Sequence, residues 1–191
     1  VQCEKLRAEI FAGKRSPIVF GEPMEWVDCL TQALGHYVRQ EYAAAKALRE
    51  KAFDAAPASA GKINGQPFEW LADADSRLGP ILEVILEGRY LWVPFCRIQR
   101  LQTEKPTDMR DLVWLPAQIT WANGGQASVH LPVRYPGTPE APDNALRLAR
   151  KTDWSQPDSE CCLGLGQRML ASDQADFPLL ECREMELSAA S

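Results

Sequence analysis

The spacing of apolar residues changes near Pro57, and this change limits the chain to folds that combine helices with a sheet. Before Pro57, apolar residues recur every three or four positions, as in Trp26–Val38, which is the period of one helix face. After Pro57, they alternate with polar residues, most regularly over Val113–Trp121, as expected for half-buried strands. We therefore predict an α+β chain, with a helical segment over residues 1–57 and a mainly antiparallel β domain over residues 58–191.

The first segment is expected to hold three helices. They cover Gln2 to Ala12, a stretch starting at Pro23 and reaching Val38, and Tyr42 to Ala56. The third, with an early aromatic residue, small residues and a closing proline, resembles the second helix of a tetratricopeptide repeat. One such repeat cannot bury its own faces. Since the sequence begins with Val1 instead of Met, we expect the start of the gene product and further helices to lie upstream.

The second segment is expected to contain two hairpins and further short elements. The hairpins are centred on the pair Glu87-Gly88 and on the triplet Asn123-Gly124-Gly125, which suit tight turns. The remaining predictions are a short helix capped by Asp143 and reaching Arg150, and two strands, Leu163 to Leu170 and Leu179 to Leu187, the second with a bulge between Cys182 and Met185.

The string from Phe68 to Pro80 places Asp73, Asp75 and Arg77 between apolar residues. Ionised groups close to a core need partners, so we predict a structural charge cluster in which one aspartate caps a turn and the other pairs with Arg77, at the junction of the two segments. The alternative is a general acid and base pair, because two residues spaced by two on a strand face the same side.

Composition argues against several classes of function. The net charge of −5 and the pI of about 5.2 argue against a nucleic-acid partner, and no apolar run is long enough for a membrane span. The six cysteines form no C-x-x-C pair and are expected to be reduced thiols, and there are only two histidines. Gly164-Leu165-Gly166 lacks the third glycine of a dinucleotide motif, since Met169 occupies that position. We expect no metal and no cofactor.

Three strings resemble the ImpE/TagJ family, also called SciE-type virulence proteins, which accompany bacterial type VI secretion. They are Phe68 to Pro80, Glu87 to Phe95, and Leu112 to Gln118. The resemblance extends from about Leu6 to Leu187.

This resemblance implies a cytoplasmic, non-enzymatic accessory protein. Its partner would be the small sheath subunit, TssB, bound in some members through its N-terminal helix, with a link to the ClpV ATPase. A concave helical surface suits such a helix, and Trp26 and Tyr37 are the first candidates for partner-binding anchors. Two alternatives stay open: a hydrolase-like enzyme using Asp73 and Asp75 in a β-domain pocket, and a purely structural scaffold.

Overall fold

The computed structural model describes residues 2–158 and 161–188, and it shows an α+β chain. The described helices are α1 (Gln2–Phe11), α2 (Glu25–Val38), α3 (Tyr42–Ala55) and α4 (Asn144–Arg147). The described strands are β1 (Ile18–Val19), β2 (Gly61–Ile63), β3 (Gln66–Phe68), β4 (Leu71–Asp73), β5 (Ile81–Leu86), β6 (Arg89–Pro94), β7 (Ile98–Thr103), β8 (Trp114–Trp121), β9 (Gln126–Pro132), β10 (Thr152–Asp158), β11 (Cys161–Gly166), β12 (Met169–Ser172), β13 (Asp176–Pro178) and β14 (Glu184–Leu187).

Three sheets make up the β part of the described chain. The largest has nine strands in the order β1-β6-β5-β9-β8-β7-β14-β2-β3. Every neighbouring pair in it is antiparallel except β1 with β6. The other two sheets are the pair β10-β11 and the triplet β13-β12-β4. The predicted fold class, helices followed by a mainly antiparallel β part, is confirmed.

The three N-terminal helices form where the apolar period predicts them. The third ends at Ala55, and Ala56 is already extended (φ −71°, ψ 134°) because the following Pro57 disfavours a helical neighbour. The second begins at Glu25 after an extended Met24, so Pro23 precedes the helix instead of lying in its first turn. Small side chains, Ala33 and Ala45, are buried where the helix pair meets.

Strands β5 and β6 have an apolar core on each face, which explains their nearly continuous apolar sequence. On one face, Ile81, Ile85 and Trp92 pack with the residues of α1 and α2. On the other face, Leu82 and Val93 join the larger core of the β part. The helices therefore cover one side of the main sheet.

Both predicted hairpins are confirmed. At the first turn, Glu87 and Gly88 have φ of 50° and 75°, the left-handed values that a type I′ turn requires at both positions. In the second, Leu115 lies opposite Leu131 and Ile119 opposite Ala127, so the alternating apolar residues of the two arms share one face.

Three predictions about the C-terminal third were wrong in part. The strand expected over Leu163 to Leu170 is broken at residues 167–168, because Gly166 at φ 96° turns the chain between β11 and β12. Instead of a bulged strand from Leu179, a 3₁₀ helix (Leu179–Glu181) follows β13, and β14 begins only at Glu184. Asp143 caps α4 as predicted by accepting from the Ala145 backbone N–H, yet this helix ends at Arg147.

Candidate functional site

Six ionisable side chains from distant parts of the sequence meet where α1 packs on the sheet; we call them the buried charge cluster. They come from α1, from β4 and the turn after it, from β5, and from the link between β11 and β12. Five are buried, and Arg77 is largely so. The members are Arg7, Asp73, Asp75, Arg77, Glu83 and Arg168.

Asp75 organises the turn that follows β4. Its Oδ1 accepts from the backbone N–H of Arg77 at 2.9 Å and from the Arg77 Nε at 2.8 Å, and its Oδ2 accepts from the Gly164 N–H at 2.8 Å. The Arg77 Nη2 also donates to Oδ2. The structure thus places the predicted Asp75 and Arg77 in direct contact, and the same carboxylate holds β11 against the turn.

Arg168 joins Asp73 to Glu83. Its Nη1 donates to Asp73 Oδ2 at 2.6 Å, its Nη2 donates to Glu83, and its Nε donates to the Pro132 carbonyl at 3.1 Å. Asp73 Oδ1 also accepts from the Tyr135 hydroxyl at 3.0 Å. Asp73 therefore pairs with Arg168, not with Arg77.

Helix α1 is attached to the cluster through Arg7. The Arg7 Nε and Nη2 donate to the two oxygens of Glu83 at 2.6 and 2.9 Å, and Nη2 also donates to the Arg134 carbonyl at 2.7 Å. Arg77 adds a second link, because its guanidinium lies 5.3 Å from the centre of the Phe11 ring of the same helix. The charges of the β part and the position of α1 are therefore coupled.

The two carboxyl groups that share Arg168 have opposite pKa shifts. Burial raises the pKa of Asp73 to about 7; Arg168 opposes this shift, whereas repulsion from Asp75 adds to it. Burial would also raise the pKa of Glu83, but Arg168 and Arg7 outweigh it and lower that pKa to about 2. Around neutral pH, Glu83 therefore stays ionised, whereas Asp73 gains or loses its proton.

Asp73 makes the free energy of unfolding depend on pH, and the Asp73→Asn variant should lack this dependence. Because the pKa of Asp73 is about 7 in the folded state, above the usual 3.8, the folded state binds the carboxyl proton more tightly than the unfolded state does. Its contribution to stability is complete below about pH 4 and is lost as the pH rises to about 7, with a slope of up to about 1.4 kcal/mol per pH unit. We expect the free energy of unfolding of the wild type, relative to that of Asp73→Asn, to fall between pH 5 and pH 7 in urea titrations. Parallel pH profiles of the two proteins would contradict this.

The cluster is suited to holding elements together and poorly suited to reacting with a substrate. Asp73 is 4% and Asp75 0% exposed, and arginines occupy their oxygens, so neither carboxyl group is open to solvent in this conformation. Burial also raises the pKa of the neighbouring hydroxyl groups of Tyr90 and Tyr135, which stay protonated. Residues 2–158 and 161–188 contain no group of three His, Cys, Asp or Glu side chains positioned to hold a metal ion.

The two aromatic residues predicted to contact a partner lie in the interior. Trp26 is 6% exposed and packs in the core between the helices and β5–β6. Tyr37 is 8% exposed, and its hydroxyl accepts from Arg49 at 3.2 Å and donates to the Ser76 carbonyl at 3.5 Å. Neither ring is available to a partner in this conformation, because both pack the helices onto the β part.

Sequence reasoning missed Arg7, Glu83 and Arg168. Glu83 offered a signal, because it interrupts the otherwise apolar run Ile81–Leu86 and so had to be buried with a partner. Its partners could not be found from sequence, since Arg7 and Arg168 lie 76 and 85 positions away.

The other residues that stand out in the sequence have surroundings that fit a structural role. His130 is exposed on β9, and the six cysteines, all within the described residues, are free. Gly164 allows close packing, since a Cβ there would lie 2.3 Å from the Tyr135 ring. Across the described residues, no helix combines the length and apolar character needed to cross a membrane.

Comparison with known proteins gives a close relative in sequence and one in structure. The chain is 50% identical over 186 residues to the type VI secretion system accessory component TagJ of Pseudomonas aeruginosa, a match that includes 97% of this chain. The chain spans 65% of the length of that relative. The crystal structure of protein VPA1032 from Vibrio parahaemolyticus superposes with a TM-score of 0.86 at 25% identity, over 96% of this chain and 69% of that one.

The family-level match covers most of the β part. The sequence model of the ImpE protein family matches residues 65–186. This range includes the strings from Phe68, Glu87 and Leu112 that carry the resemblance, and five of the six members of the buried charge cluster. The chain belongs to the ImpE family.

Proposed function

We propose that this chain is a non-enzymatic accessory protein of a type VI secretion system. The observation that carries the proposal is the 50% identity, over nearly the whole chain, to a protein named as an accessory component of that system. The proposal extends to a cytoplasmic site of action and to a TssB-type small sheath subunit as the partner, with the ClpV ATPase as a further contact of the assembled complex.

The placement of the ionisable groups supports a role without catalysis. The alternative, a hydrolase-like enzyme, requires Asp73 and Asp75 to contact a substrate. Both are buried and bound to arginines. Of the two histidines, His36 is bound to Glu41 at 2.7 Å on the helical surface, and His130 is exposed on β9. A nucleophile with an adjacent base, which acyl transfer requires, is not formed by these groups.

The helical segment supports a role in holding a partner helix. We propose that α2 and α3 form a tetratricopeptide-like pair: each has 14 residues, they are joined by residues 39–41, and Gln40 turns the chain at φ 60°. Ala33 and Ala45, 1% and 0% exposed, let the two helices approach closely. Such pairs bind amphipathic helices through apolar anchors.

Calorimetry with a synthetic peptide of the N-terminal helix of the small sheath subunit tests the proposal. We expect saturable binding with one peptide per chain and a negative heat-capacity change, because apolar surface is buried. A scrambled peptide of the same composition is the control. If neither this chain nor the longer relative TagJ binds the peptide, the proposed partner is wrong.

A further inference from the structure

An apolar groove lies where the end of α3 meets the strand that carries Asp73. It measures about 360 Å³ and is lined on one side by Phe53 and residues 56–59, and on the other by Trp70, Leu71, Ala72 and Pro80. It therefore joins the helical segment to the string Phe68 to Pro80, the first of the three strings that resemble the family.

Two aromatic side chains are exposed at this groove. Phe53 is 39% and Trp70 44% exposed, far more than an aromatic ring of the core. The Phe53 ring rests on Gly79, where a Cβ would lie 2.2 Å from the ring, so the glycine at the end of the acidic string leaves room for it. The backbone before Trp70 is held by Asp173, which accepts from the Glu69 N–H at 2.7 Å. The Phe53 ring is thus held by its contact with Gly79 and Trp70 by its backbone, and such preorganised side chains lose less entropy when a partner binds.

Acidic residues neighbour the two aromatic residues of the groove. Asp54 follows Phe53 and Glu69 precedes Trp70 in the sequence, and both are exposed. Hydrogen bonds from the Gln174 side chain and from the Glu69 and Trp70 N–H groups lower the pKa of Asp173, so it is ionised at neutral pH. Lys51 lies three positions before Asp54. These three carboxylates and one ammonium sum to two net negative charges next to the residues that line the groove.

The floor also contains a polar group without a partner. Ser59 is 4% exposed and lines the groove, and its hydroxyl has no hydrogen-bond partner among the described residues. A buried hydroxyl without a partner is destabilising, because it has lost its hydrogen bonds to water. A polar group of an incoming chain could satisfy it, which is a further reason to regard this groove as a binding surface.

We propose that this groove receives one face of an amphipathic helix that carries apolar anchors flanked by basic residues. The apolar anchors would lie between Phe53 and Trp70, and Lys or Arg side chains would face Glu69, Asp54 and Asp173. This inference rests on the proposed function, since it names the surface and the charge of the partner helix for the same interaction.

The test uses calorimetry with the sheath-subunit peptide and two matched pairs of variants. Trp70→Ala is paired with Trp154→Ala, because Trp154 is equally exposed, 42% against 44%, but lies on β10 in a different sheet. Glu69→Lys is paired with Asp28→Lys on the exposed side of α2. We expect Trp70→Ala to weaken binding by about tenfold or more and Glu69→Lys to weaken it in low salt, with both control variants within about twofold of the wild type.

The outcomes distinguish a wrong groove assignment from a wrong partner. If the wild type binds and Trp70→Ala binds as tightly as Trp154→Ala, the groove is not the site, although the accessory function stands. If Glu69→Lys binds more tightly than Asp28→Lys, the partner helix is acidic and the proposed charge is wrong. If the wild type does not bind, the groove assignment fails, and the proposed partner fails as well if the longer relative TagJ does not bind the peptide either. Melting temperatures of the four variants verify that each one is folded.

Discussion

Replacing Arg168 by methionine is expected to lower the free energy of unfolding by about 3–5 kcal/mol, or to prevent folding. Arg168 is 1% exposed and donates to Asp73, to Glu83 and to the Pro132 carbonyl. Methionine fills much of the volume but leaves two buried carboxyl groups with fewer donors. Asp73, whose pKa is already raised to about 7, would take up a proton, and Glu83 would keep only Arg7 as a cationic partner.

Urea unfolding at pH 7 measures this effect, with Arg100→Met as the control. Arg100 pairs with Glu184 on the surface, and both side chains are exposed, so its loss should change the free energy of unfolding far less than the loss of Arg168. Combining Arg168→Met with Asp73→Asn should recover part of the loss, because asparagine is neutral without the proton uptake that Asp73 needs in the single variant. Equal destabilisation by Arg168→Met and Arg100→Met would show that the cluster contributes little to stability.

Replacing Gly166 by alanine is expected to destabilise the fold by more than about 4 kcal/mol. Gly166 has φ 96°, and a Cβ there would lie 2.2 Å from the Lys151 carbonyl oxygen. The left-handed backbone alone costs an alanine roughly 1–2 kcal/mol. The contact adds to this because Lys151 directly precedes β10 and its carbonyl accepts from the Gln167 N–H at 2.9 Å. That oxygen cannot move without disturbing the adjoining end of the β10–β11 ladder, where Thr152 lies opposite Gly166.

Gly124→Ala separates the two contributions to this cost. Gly124 has φ 83°, and a Cβ added there would meet nothing within 4 Å, so only the backbone cost of about 1–2 kcal/mol applies. Chemical denaturation of both variants gives the difference, which is the cost of the close contact. A Gly166→Ala variant no less stable than Gly124→Ala would mean that β10 and β11 adjust freely to each other.

The elements that could be predicted from the sequence are those defined by residues close together in the chain. The helical period of Trp26–Val38 and the turn at Glu87-Gly88 each depend on fewer than about 15 neighbouring residues, which is the range over which periodicity and turn chemistry act. The bend at Gly166 and the 3₁₀ helix at Leu179 were missed because contacts with distant segments override the local apolar pattern there.

The same distinction between neighbouring and distant residues explains which parts of the candidate site could be predicted from the sequence. A pair between Arg77 and one of the two nearby aspartates could be predicted from sequence spacing, but the choice of Asp75 could not. The partner of Asp73 could not, because Arg168 lies 95 positions away and is brought near by the β4–β12 pairing. Trp26 and Tyr37 were proposed as anchors because an amphipathic stripe does not reveal whether it faces a partner or the chain's own sheet. Phe53 and Trp70 face outward, and only the tertiary structure distinguishes the two sets.

The position of β14 has a consequence for synthesis on the ribosome. This strand follows every other described strand in the sequence, yet it lies inside the main sheet, between β7 and β2. While translation proceeds, the two edges that it will join stay open, and open edges recruit other chains. The nascent polypeptide therefore cannot complete its largest sheet until β14 has left the exit tunnel, so solubility and maturation during synthesis depend on the emergence of Glu184–Leu187.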